Sequence, residues 1–279
     1  MTTLLLGATG QVGRALAARL PDAVTPGRAE LDLADVDAAR IDWAAFDTIV
    51  NAAAWTAVDA AETADGRAGA WRANAAGPAA LARVAARHGA LLVHLSTEYV
   101  FDGAATAPYR EDAPVAPLSA YGASKAAGDL AVATHDRHLI VRPTWVIGDG
   151  HNFVRTMAGL AARGIAPAVV ADQIGRPTFA DDVAAAIVHL LAAGATGTFH
   201  VTGGGEPASW ADVARAVYAH LRPDLTVTDT TTAAYFADKP GAARRPLNSV
   251  LDLTKAEAAG VRCPDWREQL ARYLTAHAA

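Results

Sequence analysis

Thr3-Leu-Leu-Leu-Gly-Ala-Thr-Gly-Gln-Val-Gly13 is the stretch that decides the fold of this chain. A short apolar run is closed at once by glycines at 7, 10 and 13, and an alanine-rich amphipathic segment, Arg14 to Leu20, follows. Strand, glycine turn and helix in that order are the context a dinucleotide-binding turn requires. The spacing is Gly-x-x-Gly-x-x-Gly rather than the more widely quoted Gly-x-Gly-x-x-Gly, but the physics is the same. The turn needs a permissive backbone, phosphates need close approach, and the helix N-terminus offers N–H donors. Gly7, Thr9, Gly10, Gln11, Val12 and Gly13 are the candidate cofactor contacts.

Working outward, Ala23 to Arg28 reads as a weakly marked second strand. The residue after that strand selects the cofactor, because an acid bonds a free ribose 2′-hydroxyl and an arginine accepts a 2′-phosphate. Arg28 points to NADPH and leaves NADH open, with Asp32 and Leu33 on the same rim. Glu30 to Asp35 leads into a helix for which Asp35 is the expected N-cap. Asp47 to Ala54 is an apolar strand, and small residues at its end (Ala52, Ala53 and Ala54) leave room for a ligand. Thr56 to Arg67 reads as a loop and helix start, Asn74 to His88 as a helix, and Ala90 to Leu95 as a buried strand. A loop spans Phe101 to Pro117, and a further strand covers His138 to Arg142. This alternation predicts an α/β chain with a doubly wound parallel sheet of Rossmann type.

After Gly148 the pattern changes. Helices are expected over Phe153–Arg163, Asp181–Leu191 (capped by Asp181) and Trp210–His220, with a polar turn over Asp172–Thr178. The expected division is a dinucleotide-binding domain over 1–150, to which 179–201 returns, and a smaller α/β substrate-binding lobe from 151–178 and 202–279.

Of 279 residues, 52% are hydrophobic and 19% charged, as in a globular chain with an ample core. The net charge of −5, with no basic run, argues against a nucleic-acid groove. No apolar stretch is long enough for a membrane span, and the start of the chain reads as a buried strand rather than a signal peptide. A single cysteine, Cys263, excludes an internal disulfide. The expectation is a soluble cytoplasmic protein.

The chemistry centres on Tyr121-Gly-Ala-Ser-Lys125. Residues four apart share a helix face, and an ammonium beside a phenol is expected to lower its pKa toward the range useful for proton transfer. Such a pair is also common on helix surfaces. Thr97 ends a strand one element earlier, where its hydroxyl can either bond a substrate carbonyl or cap a turn. Glu98 reads as a substrate ligand or a solvated acid, and Trp145 as a stacking face or a core residue. Asn74 either ties the Lys125 region or lies exposed, and His94 reads as a satisfied core residue. No His, Cys, Asp or Glu cluster has metal spacing, and no serine lies in a Gly-x-Ser-x-Gly elbow.

Several runs together carry a resemblance: Leu5 to Gly13, Val50 to Ala54, Val58-Asp59, Ser96 to Gly103, Tyr121 to Lys125, Arg142 to Gly148, Asp172 to Thr178 and Arg245-Pro-x-x-Ser249. Over nearly its full length the chain resembles the extended short-chain dehydrogenase/reductases, and within them the dTDP-4-dehydrorhamnose reductase family. That resemblance implies NADPH-dependent reduction of the 4-keto group of a dTDP-6-deoxyhexose, giving dTDP-L-rhamnose. It makes Tyr121 the proton donor, Lys125 its modulator and cofactor anchor, and Thr97 a carbonyl partner. Val58, Thr97, Glu98, Tyr99, Trp145 and Gln173 would border the nucleotide sugar. Three positions depart from the family: Glu98 replaces the usual Asp, Trp55 the usual His, and Ala15 a Glu that some members use for a magnesium-bridged dimer. No metal site is therefore expected, although a homodimer remains open. The first two departures leave room for reduction of another nucleotide 4-ketosugar, as in antibiotic pathways. A non-catalytic regulatory subunit of the same fold is the contrasting expectation, and the intact Thr97, Tyr121 and Lys125 set weighs against it.

Overall fold

In the computed structural model, which describes residues 2–277, five parallel strands form one sheet. They are β1 (Thr3–Leu6), β2 (Thr48–Asn51), β3 (Leu91–Leu95), β4 (His138–Arg142) and an edge strand, Gly197–His200, in that spatial order. The register aligns Leu6 with Asn51, Asn51 with His94, and His94 with Ile140, so the strand ends carrying chemistry share one edge. The expected strand over 23–28 shrinks to one bridge between Leu4 and Val24. Pro26 has no N–H to donate and Gly27 no side chain to pack, so the ladder stops there. The stub still matters, because it lies on one side of β1 and β2 lies on the other. The chain thus leaves β1 in both directions, and a crevice opens at the strand's carboxyl end.

The main helices up to residue 221 are α1 (Gln11–Arg19), α2 (Ala64–Trp71), α3 (Gly77–His88), α4 (Ala120–Val132), α5 (Phe153–Ala162), α6 (Ala180–Ala192) and α7 (Trp210–Leu221). On one face Leu5, Val50, Val93 and Val141 pack against Leu16 of α1 and Val183 and Ile187 of α6. On the other, Leu4, Ile49, Leu92 and Ile140 meet Leu81 and Val84 of α3. Burial on both faces is why these strands read as unbroken apolar runs. A separate core joins Val154 and Met157 of α5 to Val213 and Val217 of α7, and to Trp266 and Leu270 of the Trp266–Ala276 helix.

Several local expectations are corrected. Asp32, not Asp35, caps the short 3₁₀ turn Leu33–Ala38; its carboxylate accepts from Ala34 N at 2.9 Å, while Asp35 sits inside the turn at a non-helical φ of −149°. The helix expected to begin at Asn74 starts earlier, at Ala64 behind a Thr63 cap, and passes through a π turn over Arg72–Ala76. Pro78 has no N–H to return to the Asn74 carbonyl, and the helix widens there. Phe179 holds the cap position of α6, so Asp181 lies in the first turn, where its charge still complements the helix dipole. The turn over 172–178 contains two short paired segments: Ile174–Gly175 lies against Ala208–Ser209, and Thr178–Phe179 against Val146–Ile147.

Candidate active site

The site is built where β3 and α4 end and begin at the same edge of the sheet. Beyond Leu95 the chain stays extended through Thr97 and then tightens into the turn Glu98–Val100. Thr97 Oγ1 accepts from Tyr99 N at 3.3 Å and donates to Glu98 Oε2 at 2.8 Å. Ser119 caps α4 by accepting from Gly122 N, which fixes Tyr121 in the first turn and Lys125 one turn on. Gly122 is required for this fit, since a Cβ there would lie 2.3 Å from the Tyr99 carbonyl oxygen. Gly128 repeats the device against the Asn74 carbonyl, at 2.1 Å. The Tyr99 and Tyr121 rings meet edge to face with centroids 5.5 Å apart. Thr97, Glu98, Tyr121 and Lys125 are all buried.

Burial governs the protonation of this group. The Tyr121 phenol is pushed well above its ordinary range, first by loss of solvent and next by the neighbouring Glu98, with the Thr97 hydroxyl working the other way. The expected lowering by Lys125 is therefore not what the structure has. The ammonium instead donates to the Leu95 carbonyl at 2.6 Å. Burial lowers Lys125 to about 8, opposed by Asp129. Burial raises Glu98 to about 7, opposed by the Thr97 hydrogen bond.

Behind Lys125 lies a polar cluster that the sequence reading did not assemble. Asn51 Oδ1 accepts from Ala53 N at 3.2 Å, so its Nδ2 must be the group facing His94 Nδ1 at 3.1 Å. His94 Nδ1 is then an acceptor and Nε2 carries the proton. That N–H faces Asp129 Oδ1 at 3.8 Å, and Asp129 Oδ2 accepts from Arg142 Nε at 2.9 Å. Burial and the Lys125 charge hold the imidazole pKa well below its ordinary value, so His94 is neutral. His94 is thus a core residue, as read, but one joined to the Lys125 environment. The available signal was Asp129 four residues after Lys125 on one helix face. Asn74 is buried, not exposed: it exchanges bonds with Trp55 N and O and donates to Ser124 Oγ at 3.0 Å.

The glycine turn suits a dinucleotide phosphate. A Cβ at Gly13 would collide with the Gly7 carbonyl oxygen at 1.9 Å, and one at Gly7 with Ala53 N at 2.5 Å, so both glycines are needed for packing. A Cβ at Gly10 would meet nothing nearer than 3.4 Å. Gly10 is exposed at the N-cap of α1, with no side chain covering the first-turn donors. Val12 is buried inward, exposed Thr9 gives its carbonyl to Arg14, and Gln11 Oε1 accepts from Gly148 N at 2.7 Å. Arg28 is solvent-exposed and paired with Asp32 at 3.3 Å, while Leu33 is buried in the sheet core. Ala52 and Ala53 are half-buried and Ala54 exposed at the end of β2.

The remaining predicted contacts divide. Val58 packs in the small cluster around Tyr121 and Tyr99. Next to it, Asp59 takes two bonds from Arg245 Nη2, at 2.9 and 2.8 Å, tying the late segment to this mouth. Trp145 is half-buried, stacked on Trp210 with centroids 3.8 Å apart, and held at a φ of 42°. Trp210 is a partner that the sequence did not reveal. Gln173 is buried and donates to Thr232 Oγ1 at 3.0 Å. Among the described residues no group of three His, Cys, Asp or Glu is placed to hold a metal ion, and no helix is long and apolar enough to cross a membrane.

A family model described as the RmlD substrate binding domain matches residues 1–279. The chain belongs to the RmlD substrate binding domain family. This RmlD-family chain is 41% identical to the dTDP-4-dehydrorhamnose reductase of Sinorhizobium fredii, over 99% of its own length and 97% of that protein's. It is 42% identical to a probable dTDP-4,6-dihydroxy-2-methyloxan-3-one 4-ketoreductase of Streptomyces antibioticus, covering 97% and 93%. The crystal structure of the Bacillus anthracis dTDP-4-dehydrorhamnose reductase in complex with NADP superposes with a TM-score of 0.85, at 32% identity and 99% coverage of both chains.

Proposed function

We propose that this chain uses NADPH to reduce the 4-keto group of a dTDP-4-keto-6-deoxyhexose, taking dTDP-4-dehydrorhamnose to dTDP-L-rhamnose in the cytoplasm. The observation that carries the reading is the meeting of Thr97, Glu98, Tyr121 and Lys125 beyond the end of β3, on the same edge of the parallel sheet as the Gly7–Gly13 turn that follows β1. The named relatives supply the substrate class.

In this reading the β1–β4 region and α6 hold the dinucleotide, and 151–178 with 202–279 hold the sugar. Bound NADPH supplies the hydride. Gly10 and the α1 N-terminus take the pyrophosphate, and Arg28 takes the 2′-phosphate. Tyr121 gives its proton to the carbonyl oxygen as negative charge develops there, and its raised pKa keeps that proton in place until then. Lys125, anchored on the Leu95 carbonyl one helical turn after Tyr121, would hold the nicotinamide ribose of the bound cofactor and supply positive charge to the site. Thr97 shares the oxygen with Tyr121. Val58, Tyr99 and Trp145 wall the sugar.

A panel of nucleotide 4-ketosugars tests this directly, with NADPH consumption as the readout and NMR for the product configuration. Turnover of dTDP-4-dehydrorhamnose is expected, and Tyr121→Phe should lose about 10²–10⁴-fold in rate with cofactor binding retained. Unchanged turnover in Tyr121→Phe sinks the assignment of the proton donor. The similarity to the Streptomyces antibioticus protein favours one second reading, a different dTDP-4-ketosugar, which the same panel would reveal.

A further inference from the structure

A hydroxyl has one proton, and in this site the Thr97 proton is directed at Glu98 Oε2, 2.8 Å away. While Glu98 is ionised it can only accept, so Thr97 offers the crevice lone pairs and cannot donate to a carbonyl. Glu98 Oε1 is buried and has no hydrogen-bond partner among the described residues. A carboxylate oxygen left that way favours the neutral acid, whose O–H can donate to Thr97 Oγ1 and turn the Thr97 proton outward.

We propose that Glu98 is a positioning residue whose own proton sets the direction of the Thr97 hydroxyl, so that reduction proceeds only with Glu98 in its neutral form. The inference rests on the reductase reading above. Proton balance is unchanged by it: hydride adds to the carbonyl carbon, the oxygen takes the Tyr121 proton, and Glu98 keeps its own through the step. The same charge state also acts on the acid, because an ionised Glu98 holds the Tyr121 proton more tightly. The ionisable groups facing Glu98 are Tyr99 on its own turn and Tyr121 on α4, with Lys125 and Asp129 further along α4 and Asp59 and Arg245 beyond Tyr99. Glu98, raised to about 7, and Lys125, lowered to about 8, therefore both feed the alkaline loss, and replacing Glu98 should remove its share.

The experiment compares pH profiles of kcat for the wild type, Glu98→Gln, Thr97→Val and the double variant. In Glu98→Gln the amide donates permanently. Its profile, normalised to its own maximum, should hold from pH 7 to about 8, where the wild type has dropped by up to tenfold. In the Thr97→Val background the same Glu98→Gln change should move the profile far less. An identical shift in both backgrounds would place the effect on the phenol alone and overturn the proposal, as would a wild-type limb that Glu98→Gln leaves in place. An infrared difference spectrum, wild type minus Glu98→Gln in the NADP-bound protein, reads the carboxylic acid without turnover. A Glu98 already ionised at pH 5 ends the idea. If the acid titrates near 7 but no 4-ketosugar is reduced, the reductase reading has failed instead.

Discussion

Asp129 and Arg142 form an ion pair at 2.9 Å with both side chains almost wholly out of water. It sits directly behind the His94 and Lys125 contact. Removing one member of such a pair leaves an uncompensated buried charge, at a cost of about 3–5 kcal/mol. Asp129→Ala should therefore lose about that much in urea unfolding. The double change Asp129→Leu, Arg142→Met should recover most of it, because an apolar replacement of both partners removes the desolvation cost as well. Asp129 also supports the Lys125 charge, so in the Glu98→Gln background, where the Glu98 limb is gone, adding Asp129→Asn should bring the alkaline loss of activity below pH 8. A double variant no more stable than Asp129→Ala would contradict the argument.

The two glycines of the first turn should separate packing from binding. Gly13→Ala drives a methyl into the Gly7 carbonyl, so it should destabilise the whole chain. Gly10→Ala meets its nearest neighbour at 3.4 Å and should fold nearly as well as the wild type. Its methyl nevertheless occupies the approach to the α1 N-terminus. NADPH affinity, measured by fluorescence titration, should fall by tenfold or more with little change in thermal midpoint. Equal affinity in Gly10→Ala would move the phosphate site elsewhere.

Arg28 and Asp32 make opposite demands on the cofactor, since a guanidinium suits a 2′-phosphate and a carboxylate suits a 2′-hydroxyl. Their 3.3 Å pairing is exposed and weak, so Arg28 is free to swing to a ligand. Arg28→Ala should reduce the NADPH over NADH preference in kcat/KM by roughly tenfold, the size of one charge-assisted hydrogen bond. Asp32→Ala should raise it. An unchanged ratio in both would remove this pair from cofactor choice.

The parts legible in the sequence are those governed by local rules. Gly7 and Gly13 announced a turn that a side chain at either place would break, and the apolar runs announced strands buried on both faces. Tyr121 and Lys125 share a helix face at any packing, so their proximity was readable. Their electrostatics were not, because the Tyr121 pKa is set by burial and by Glu98, which reaches it only through the tertiary fold. The Asn51 and His94 contact depends on strand register, and the stacking of Trp145 on Trp210 on the docking of two distant segments. Asp35 and Asp181 were misplaced as caps for a different reason. The 3₁₀ turn starts early enough for Asp32 to cap it, and α6 starts at Ala180, ahead of Asp181 and behind Phe179, which makes no side-chain cap. Boundaries of this kind are set by packing that local sequence does not show.

His200 gives the clearest pH dependence of stability. Its ring is buried, neither ring nitrogen has a hydrogen-bond partner among the described residues, and it meets Phe101 edge to face. Burial, and then the Arg142 charge, lower its pKa to about 3 from an ordinary 6.5. Between those values the unfolded chain binds a proton that the folded chain refuses, so His200 costs stability progressively as pH falls through 6.5 toward 3. Glu98 shifts in the opposite sense, but it is common to both proteins in a comparison of His200→Phe with the wild type. The variant should match or exceed the wild type at pH 8 and gain on it by up to about 1.4 kcal/mol per pH unit between pH 6 and pH 4. Urea unfolding at stepped pH measures this, and a difference that stays constant across the range would show that His200 is not buried neutral.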